Sequence, residues 1–199
     1  MFTGIIKKIA KVKEIKALNK GLEMILACNT ESLSLEQGDS VSVNGVCSTV
    51  VSFDEYSFCV QYLRETLDKT TLTHLREGHV VNVEPSLTPS SKIGGHFVQG
   101  HVDCIGKIKE LVLNNPWGVI HVAYPAEFKT QLVSKGSICI DGISLTLVDL
   151  TESAFSCHII PHTFSETVLQ YRGVDDYVNL EFDIQRVYYD INQDAEVDK

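Results

Sequence analysis

The chain has few of the sequence features that are typical of nucleic-acid-binding, membrane-spanning or exported proteins. Only 5 of its 199 residues are proline, and a net charge of -9 results from 26 acidic against 17 basic residues. Without a basic cluster, sequence-independent binding to nucleic acid or to an anionic membrane would work against the field of the protein. No apolar run is long enough to span a bilayer or to form a signal-peptide core. We therefore expect a soluble, cytoplasmic protein whose partners include no nucleic acid and no membrane.

The six cysteines show no C-x-x-C spacing, and a chain of this length needs no disulfide framework, so we expect free thiols. The sequence also contains no G-x-G-x-x-G segment after a strand, no Walker loop and no H-E-x-x-H motif. His158 and His162, with Cys157 beside them, resemble a metal pattern, but no second compact pair of ligands accompanies them. We predict no metal and no cofactor.

The sequence contains an internal repeat. At a displacement of 97 residues, SVSVNGVCSTV (40–50) lies over SICIDGISLTL (137–147). At a displacement of 96 residues, Lys11–Glu14 lies over Lys107–Glu110, so a slip of a single residue joins the two registers. This repeat predicts one domain over residues 1–96, a second over 97–185 and a tail over 186–199, with the Pro- and Ser-rich stretch 85–91 as the joint.

Each repeat has the pattern of β-strands. Apolar residues alternate with small or polar ones in residues 40–43 and 138–140, which is the period of a strand with one buried face. Asn44-Gly45 and Asp141-Gly142 are dipeptides of type I′ turns, because both central positions need a positive φ. Further strands are expected over residues 21–27, 50–53, 56–62 and 80–83. Short strands at even spacing predict a mainly β fold with one small antiparallel barrel per repeat.

Helices are expected to be few and short. The candidates are residues 65–75, 163–171 and 125–134, together with a short C-terminal helix that has Asp183 as its N-cap.

Polar residues inside the repeated hairpins are the first candidates for chemistry. Cys47 and Ser144 each stand three residues after the turn Asn or Asp, and Thr49 and Thr146 follow two residues later. Positions i and i+2 of a strand share a face, so each repeat would present a nucleophile-type group beside a hydroxyl. The alternative is that these are small strand residues that only pack.

Two histidines lie in the glycine-rich segment GGHFVQGH at residues 94–101. Glycines let the backbone approach a ligand closely or bend tightly. His96 or His101 could act there as an acid or base near neutral pH, or could be an ordinary hydrogen-bonded histidine of a strand.

Together these motifs resemble the riboflavin synthase family over nearly the whole chain. The resemblance rests on MFTGII at residues 1–6, VNGVC at 43–47, RETL at 64–67, GGHFVQGHVD at 94–103, DGISLT at 141–146 and IPHT at 160–163. It implies two tandem six-stranded antiparallel barrels and a transferase without metal or coenzyme. It also implies the reaction, in which two molecules of 6,7-dimethyl-8-ribityllumazine are dismutated to riboflavin and 5-amino-6-(D-ribitylamino)uracil by transfer of a four-carbon unit.

The resemblance further implies a homotrimer, with each active site between the first barrel of one subunit and the second barrel of its neighbour, and an association with lumazine synthase. His101 would be the base or proton shuttle, and Ser144 and Cys47 would position or transiently add to a ring. The substrate-binding positions implied for the first barrel are Ser40, Cys47, Ser48, Thr49, Gln61, Tyr62, Leu63, Arg64, Glu65 and Thr66. Those implied with the second barrel are Lys135, Asp141, Ser144, Leu145, Thr146, Ile160, Pro161, His162, Thr163, Phe164 and Ser165. The connecting segments would add Gly4, Ile5, Ile6, Gly100, His101 and Val102.

Two positions depart from the family pattern, because Ser48 stands where Leu is common and Gln61 where Asp is common. Related proteins include fluorescent antenna proteins that bind lumazine or flavin without catalysis, and this function is the alternative to the enzyme. An unrelated β-barrel binding module is a third candidate.

Overall fold

The computed structural model describes residues 1–114 and 116–187, which form two closed, six-stranded antiparallel β-barrels. The predicted fold class is therefore confirmed. The first barrel contains β1 (Lys8–Leu18), β2 (Gly21–Ala27), β3 (Ser40–Val43), β4 (Val46–Phe53), β5 (Ser57–Leu63) and β6 (Val80–Pro85). The second contains β7 (Cys104–Asn114), β8 (Trp117–Ala123), β9 (Ser137–Ile140), β10 (Ile143–Leu150), β11 (Ala154–Ile159) and β12 (Tyr177–Phe182).

The two barrels share one topology down to their irregularities. Neighbouring strands follow the order β1-β2-β5-β4-β3-β6 in the first barrel and the equivalent order in the second. The β1–β2 pairing shifts register between Val12 and Glu14, and the β7–β8 pairing shifts between Ile108 and Glu110. Because a bulge sharpens the local twist, its recurrence at equivalent places bends both barrels alike.

The predicted type I′ turns close the hairpins β3–β4 and β9–β10. Asn44 and Gly45 have φ of 46° and 78°, and Asp141 and Gly142 have 46° and 85°. These hairpins pair Ser42 with Cys47 in one barrel and Cys139 with Ser144 in the other.

The helical segments are shorter than predicted. α1 (Arg64–Lys69) and α2 (Pro161–Ser165) each precede a 3-10 helix, at Thr71–His74 and Val168–Tyr171. Thr70 and Thr167 interrupt the predicted continuous helices, because each has extended backbone and its hydroxyl caps the following 3-10 helix. Further 3-10 helices span Glu31–Leu33 and Ala126–Gln131. Within the described residues, no helix combines the length and the apolar character needed to cross a membrane.

The predicted C-terminal helix begins as expected. Its first residues, 184–187, are helical, and the Asp183 carboxylate accepts a hydrogen bond of 3.0 Å from the backbone N–H of Gln185. Val187 packs against the core of the second barrel. Most of the predicted tail, residues 188–199, lies outside the described residues.

Each barrel has its own core, formed by alternate residues that point inward. In β4, Val46, Ser48 and Val50 are buried while Thr49 is exposed. In β10, the inward positions are Ile143, Leu145 and Leu147. The intervening side chains, including Cys47 and Ser144, therefore lie on the outer surface of the barrels.

The barrels are joined by reciprocal hydrogen bonds of two buried asparagines, one in β6 and one in β12. Asn82 Nδ2 donates to the turn carbonyl of Asp141, and Asn179 Nδ2 donates to the turn carbonyl of Asn44, both at 2.8 Å. The side-chain oxygen of each asparagine accepts a backbone N–H at the start of a 3-10 helix in the other repeat: Val168 N to Asn82 Oδ1 and Thr71 N to Asn179 Oδ1, again at 2.8 Å. Exchanging the two repeats turns each of these four hydrogen bonds into its counterpart.

Replacing either asparagine should weaken the contact between the two barrels and lower the free energy of unfolding. Asn179→Ala leaves the Asn44 carbonyl and the Thr71 N–H buried without partners, and Asn82→Ala does the same to the equivalent groups. Two lost buried hydrogen bonds predict a loss of about 2–4 kcal/mol in the free energy of unfolding for either variant. Urea unfolding at neutral pH measures it, and a loss below about 1 kcal/mol in both variants would contradict the prediction.

Candidate active site

Two short crossing segments bring the candidate residues of the two repeats together. We call residues 3–6 the N-terminal strap and residues 99–102 the linker strap. The straps are tied to each other through a bridge between Phe2 and Val98, whose backbone groups exchange hydrogen bonds of 2.7 and 3.1 Å. Both side chains are fully buried, so the start of each repeat is fixed between the barrels.

The linker strap is anchored on the second barrel and ends against the first. The Glu181 carboxylate of β12 is buried and accepts three backbone N–H groups of the strap. The carbonyl of Gly100 in turn accepts the N–H of Cys47 in β4 at 2.8 Å. The distances to Glu181 are 2.5 Å from Gln99, 2.8 Å from Gly100 and 3.0 Å from His101.

The N-terminal strap repeats this arrangement with the barrels exchanged. The buried carboxylate of Glu84 in β6 accepts hydrogen bonds from the N–H and hydroxyl of Thr3 at 2.8 and 2.7 Å, and from the N–H of Gly4 at 3.0 Å. The carbonyl of Gly4 accepts the N–H of Ser144 in β10 at 2.8 Å. Each strap is therefore bound to a carboxylate of its own barrel and to the site strand of the other.

Apolar side chains of the straps also cross over. Ile6 of the first repeat packs against the core of the second barrel, and Val102 packs against the core of the first. Of the predicted strap residues, Ile5 and His101 are the exposed members, whereas Gly4 and Gly100 are buried.

Both strap glycines are required by their geometry. Gly4 has a φ of +75° and Gly100 a φ of +80°. A Cβ on Gly100 would lie 2.7 Å from the backbone nitrogen of Cys47, and one on Gly4 would lie 2.5 Å from Cβ of Ser144. Side chains larger than hydrogen would push the straps off the site strands.

Ser144 has a histidine partner, His96, which is one of the two histidines that the sequence offers as an acid or base. His96 Nδ1 lies 2.7 Å from Ser144 Oγ, within hydrogen-bond distance. Burial lowers the pKa of His96 below its ordinary value, so the neutral imidazole is the favoured form at pH 7. Its Nε2 atom has no partner among the described residues. The pair has the geometry of a hydroxyl beside a base.

Cys47 occupies the equivalent place in a different environment. It is half-buried and packs against the small apolar cluster of Phe2, Val98 and Cys139. All six cysteines are free thiols, and Cys28 is the other half-buried one. The repeat thus places a thiol beside apolar groups on one barrel and a hydroxyl beside an imidazole on the other.

The three predicted catalytic residues do not form one contact cluster. The backbone of His101 belongs to the linker strap, which contacts the strand of Cys47, whereas Ser144 is contacted by the N-terminal strap and by His96. His96 and His101 lie in one segment of the sequence. Only the fold brings His96 to Ser144, because the two residues are 48 positions apart in the chain.

Some predicted binding residues point their side chains away from the surface. Ser48 and Tyr62 are buried inside the first barrel, where their hydroxyls lie 2.7 Å apart, and Leu145 is buried inside the second. Burial raises the pKa of the Tyr62 hydroxyl above its ordinary value. Asp141, in the turn between β9 and β10, is fully buried and paired with Arg172 at 2.7 Å. Ser48, Tyr62, Leu145 and Asp141 therefore support the surface from beneath.

Other predicted positions lie on the outer surface beside the site strands. Gln61 donates to Glu23 at 2.8 Å, and Arg64 and Glu65 form i,i+4 ion pairs within α1. Leu63 and Ile160 occupy equivalent places and are 72% and 49% exposed. The remaining predicted surface positions are exposed or half-buried: Ser40, Thr49, Thr66, Lys135, Thr146, Pro161, His162, Thr163, Phe164 and Ser165.

An apolar cleft of about 270 Å³ adjoins the predicted positions of the second barrel. Its lining includes Ile160, Pro161 and Phe164 together with Trp117 and Leu113. A flat heterocycle could contact such a surface through its ring face.

The histidine pair considered as a metal pattern is not on one strand. His158 lies in β11, which ends at Ile159, and His162 lies in α2, which begins at Pro161. In the described part of the chain, no group of three or more His, Cys, Asp or Glu residues is placed to hold a metal ion.

Comparisons with known proteins follow this two-barrel arrangement. The family model of the lumazine binding domain matches the chain twice, over residues 3–86 and 99–183. The riboflavin synthase of Actinobacillus pleuropneumoniae is 37% identical over 94% of this chain and 87% of its own length. This chain belongs to the riboflavin synthase family. The riboflavin synthase of Bacillus subtilis (strain 168) is 35% identical over 92% of this chain and 86% of its own length.

Membership of the riboflavin synthase family confirms the expectation of an enzyme of the transferase class. The fold is also that of a solved structure. The crystal structure of LumP complexed with riboflavin superimposes with a TM-score of 0.85, covering 92% of this chain and 99% of LumP at 20% identity. The two-barrel fold of the riboflavin synthase family is thus shared at low sequence identity.

The close approach of the linker strap to Cys47 can be tested with a matched pair of variants. Gly100 and Gly38 have φ of +80° and +94°, but a Cβ on Gly38 would meet nothing within 4 Å. Gly38→Ala should cost about 1–2 kcal/mol of unfolding free energy from its backbone conformation alone. Gly100→Ala should cost about 2 kcal/mol more, because β4 must move. Equal losses in urea unfolding would show that the strap has room to adapt.

The buried anchor of the linker strap should make stability depend on pH. Burial raises the pKa of Glu181 from 4.5 to about 7, although the N–H groups of Gln99, Gly100 and His101 lower it. Because the folded pKa exceeds the unfolded one, this carboxyl contributes stability that is full below pH 4.5 and lost as the pH rises to about 7. The loss amounts to about 3 kcal/mol at most.

Glu181→Gln removes this titration. The unfolding free energy of the unmodified protein, minus that of the variant, should therefore fall as the pH rises from 4.5 to about 7. Urea unfolding over this range measures the difference. Because Glu84 is present in both proteins, its titration contributes equally to both values and cancels. A difference independent of pH would contradict the raised pKa of Glu181.

Proposed function

We propose that this chain catalyses the dismutation of 6,7-dimethyl-8-ribityllumazine. A four-carbon unit leaves one molecule and joins a second, which gives 5-amino-6-(D-ribitylamino)uracil and riboflavin. Both reactants are the same compound, and the atoms of the two products together equal those of two substrates. The balance therefore needs no outside oxidant, reductant or coenzyme.

The observation that carries this proposal is the pair of equivalent surface sites, each completed by a strap from the other repeat. Cys47 and Ser144 occupy the same position in their barrels, and both have a backbone N–H bonded to a strap glycine. A reaction between two copies of one compound needs two related binding places. Holding two rings in reacting geometry can supply about 7–11 kcal/mol of the barrier.

The difference between the two sites suggests a division of roles. Neutral His96 accepts the proton of the Ser144 hydroxyl, which makes Oγ a better nucleophile toward the ring held on the second barrel. His101, on the linker strap beside the strand of Cys47, is then the proton shuttle of the first-barrel site. Deprotonation of the methyl group on carbon 7 of one lumazine gives the carbon nucleophile. Thr49, Thr146 and Lys135 offer polar groups to the ribityl chain.

The two rings must meet, and we propose that they do so between subunits of a homotrimer. The exposed Leu63 and Ile160 lie beside the equivalent sites, where a neighbouring subunit would cover them. The site would then join the first barrel of one subunit to the second barrel of the next. A cytoplasmic location and an association with lumazine synthase stay predictions of the sequence.

Binding without turnover is the alternative function. The fold shared with LumP is compatible with it, and a lumazine bound without conversion would be its signature. The intact pair of His96 and Ser144 favours catalysis, because a carrier has no need of a hydroxyl beside a base.

The decisive experiment follows riboflavin formation from 6,7-dimethyl-8-ribityllumazine by absorbance and fluorescence, without added metal or coenzyme. His96→Gln and Ser144→Ala should each lower kcat by about a hundredfold or more, the range of a lost acid or base, and retain the fold by circular dichroism. The half-exposed His121 on β8 provides the matched control, His121→Gln, which should keep normal turnover.

Because burial lowers the pKa of His96, the acid limb of the kcat profile should lie below pH 6.5. Saturable binding of the lumazine without riboflavin formation would establish the carrier function instead. Normal turnover in both His96→Gln and Ser144→Ala would contradict the assigned roles.

A further inference from the structure

Glu84 and Glu181 are the two carboxylates that hold the straps. Each holds a strap that contacts the site strand of the opposite barrel. Glu181 belongs to the second barrel, yet the strap that it fixes ends on the N–H of Cys47 in the first. Glu84 belongs to the first barrel, and its strap ends on the N–H of Ser144 in the second.

We propose that Glu84 and Glu181 are positioning residues that act crosswise: each sets the geometry of the candidate site on the opposite barrel. The inference rests on the proposed function only in calling these sites catalytic. Its structural content, that one carboxylate controls one strap and one site strand, stands apart from any reaction.

The contacts give this coupling a short route. Glu181 Oε2 accepts the N–H of Gly100, and the carbonyl of the same residue accepts the N–H of Cys47. Two hydrogen bonds and one residue therefore separate the anchor from the site strand. On the other side, Gly4 joins Glu84 Oε2 to the N–H of Ser144 in the same way.

The alternatives for these carboxylates are weaker. Among the ion pairs of the described residues, neither glutamate has a basic partner. Both are at least 96% buried, at 3% and 4% exposure. A buried carboxylate without a cation is costly unless hydrogen bonds satisfy it, and here the donors are backbone groups of the straps. An apolar residue would pack in the same space at lower cost, so the carboxylates are explained by what they hold.

The matched variants are Glu84→Gln and Glu181→Gln, which keep shape and remove the charge. In each, an amide N–H₂ replaces an oxygen that accepted a strap N–H, so one strap loses an acceptor. Hydrogen–deuterium exchange at the N–H groups of Cys47 and Ser144 reports the two strap contacts separately.

At about pH 8, above the raised pKa of Glu181, the amide of Cys47 should exchange about tenfold faster in Glu181→Gln while the amide of Ser144 is unchanged, as one lost charge-assisted hydrogen bond predicts. In Glu84→Gln, the amide of Ser144 should accelerate and that of Cys47 should not. The thiol of Cys47, but not that of Cys28, should also become more reactive toward iodoacetamide in Glu181→Gln, as mapped by mass spectrometry.

Equal acceleration of both amides in each variant would mean that the carboxylates support overall stability only, and would overturn the proposal. So would unchanged exchange at both amides in both variants, or acceleration on the barrel that contains the substituted residue. Turnover provides a separate arm: kcat should fall in both variants with less change in KM. If the unmodified protein forms no riboflavin, the proposed function fails, while the exchange results still decide the crosswise coupling.

Discussion

The buried amides of Asn82 and Asn179 are the interaction on which the rest of the structure depends. Each reaches from the last strand of one barrel to the turn of the other, and satisfies a carbonyl there together with an N–H of the adjoining 3-10 helix. Because these groups are buried, a lost partner is costly, and the two barrels are held in one orientation. The straps, which must reach from one barrel to the other at hydrogen-bond distance, work only in that orientation.

The duplicated fold is symmetric in its backbone and asymmetric in its chemistry. Equivalent strands carry Cys47 beside apolar side chains and Ser144 beside an imidazole. Beneath them, Ser48 and Tyr62 form a polar pair where the second barrel has Leu145 and Ile159. The shared backbone thus places the two candidate sites alike, while the side chains around them differ.

The sequence predicted what local chemistry and periodicity decide. Asn44-Gly45 and Asp141-Gly142 formed the expected turns because their φ values are a local requirement, and the strand period placed Cys47 and Thr49 on one face of β4, as expected. The sequence did not indicate that Thr70 would end α1, since its hydroxyl caps the next turn instead. Nor did it select His96 as the partner of Ser144 or Glu181 as an anchor, because those contacts join distant segments. The binding positions carried over from the family resemblance stay predictions.

The exchange of apolar residues between the repeats has a consequence for synthesis. Val102 covers the first barrel but follows all of its strands in the chain, and Ile6 emerges early yet packs against a barrel made much later. A nascent first barrel leaves the ribosome with part of its core uncovered until the linker strap has been translated. The N-terminal strap waits longer, exposed until β10 exists. Translation order therefore leaves the N-terminal strap without the strand that it contacts until the second barrel is made.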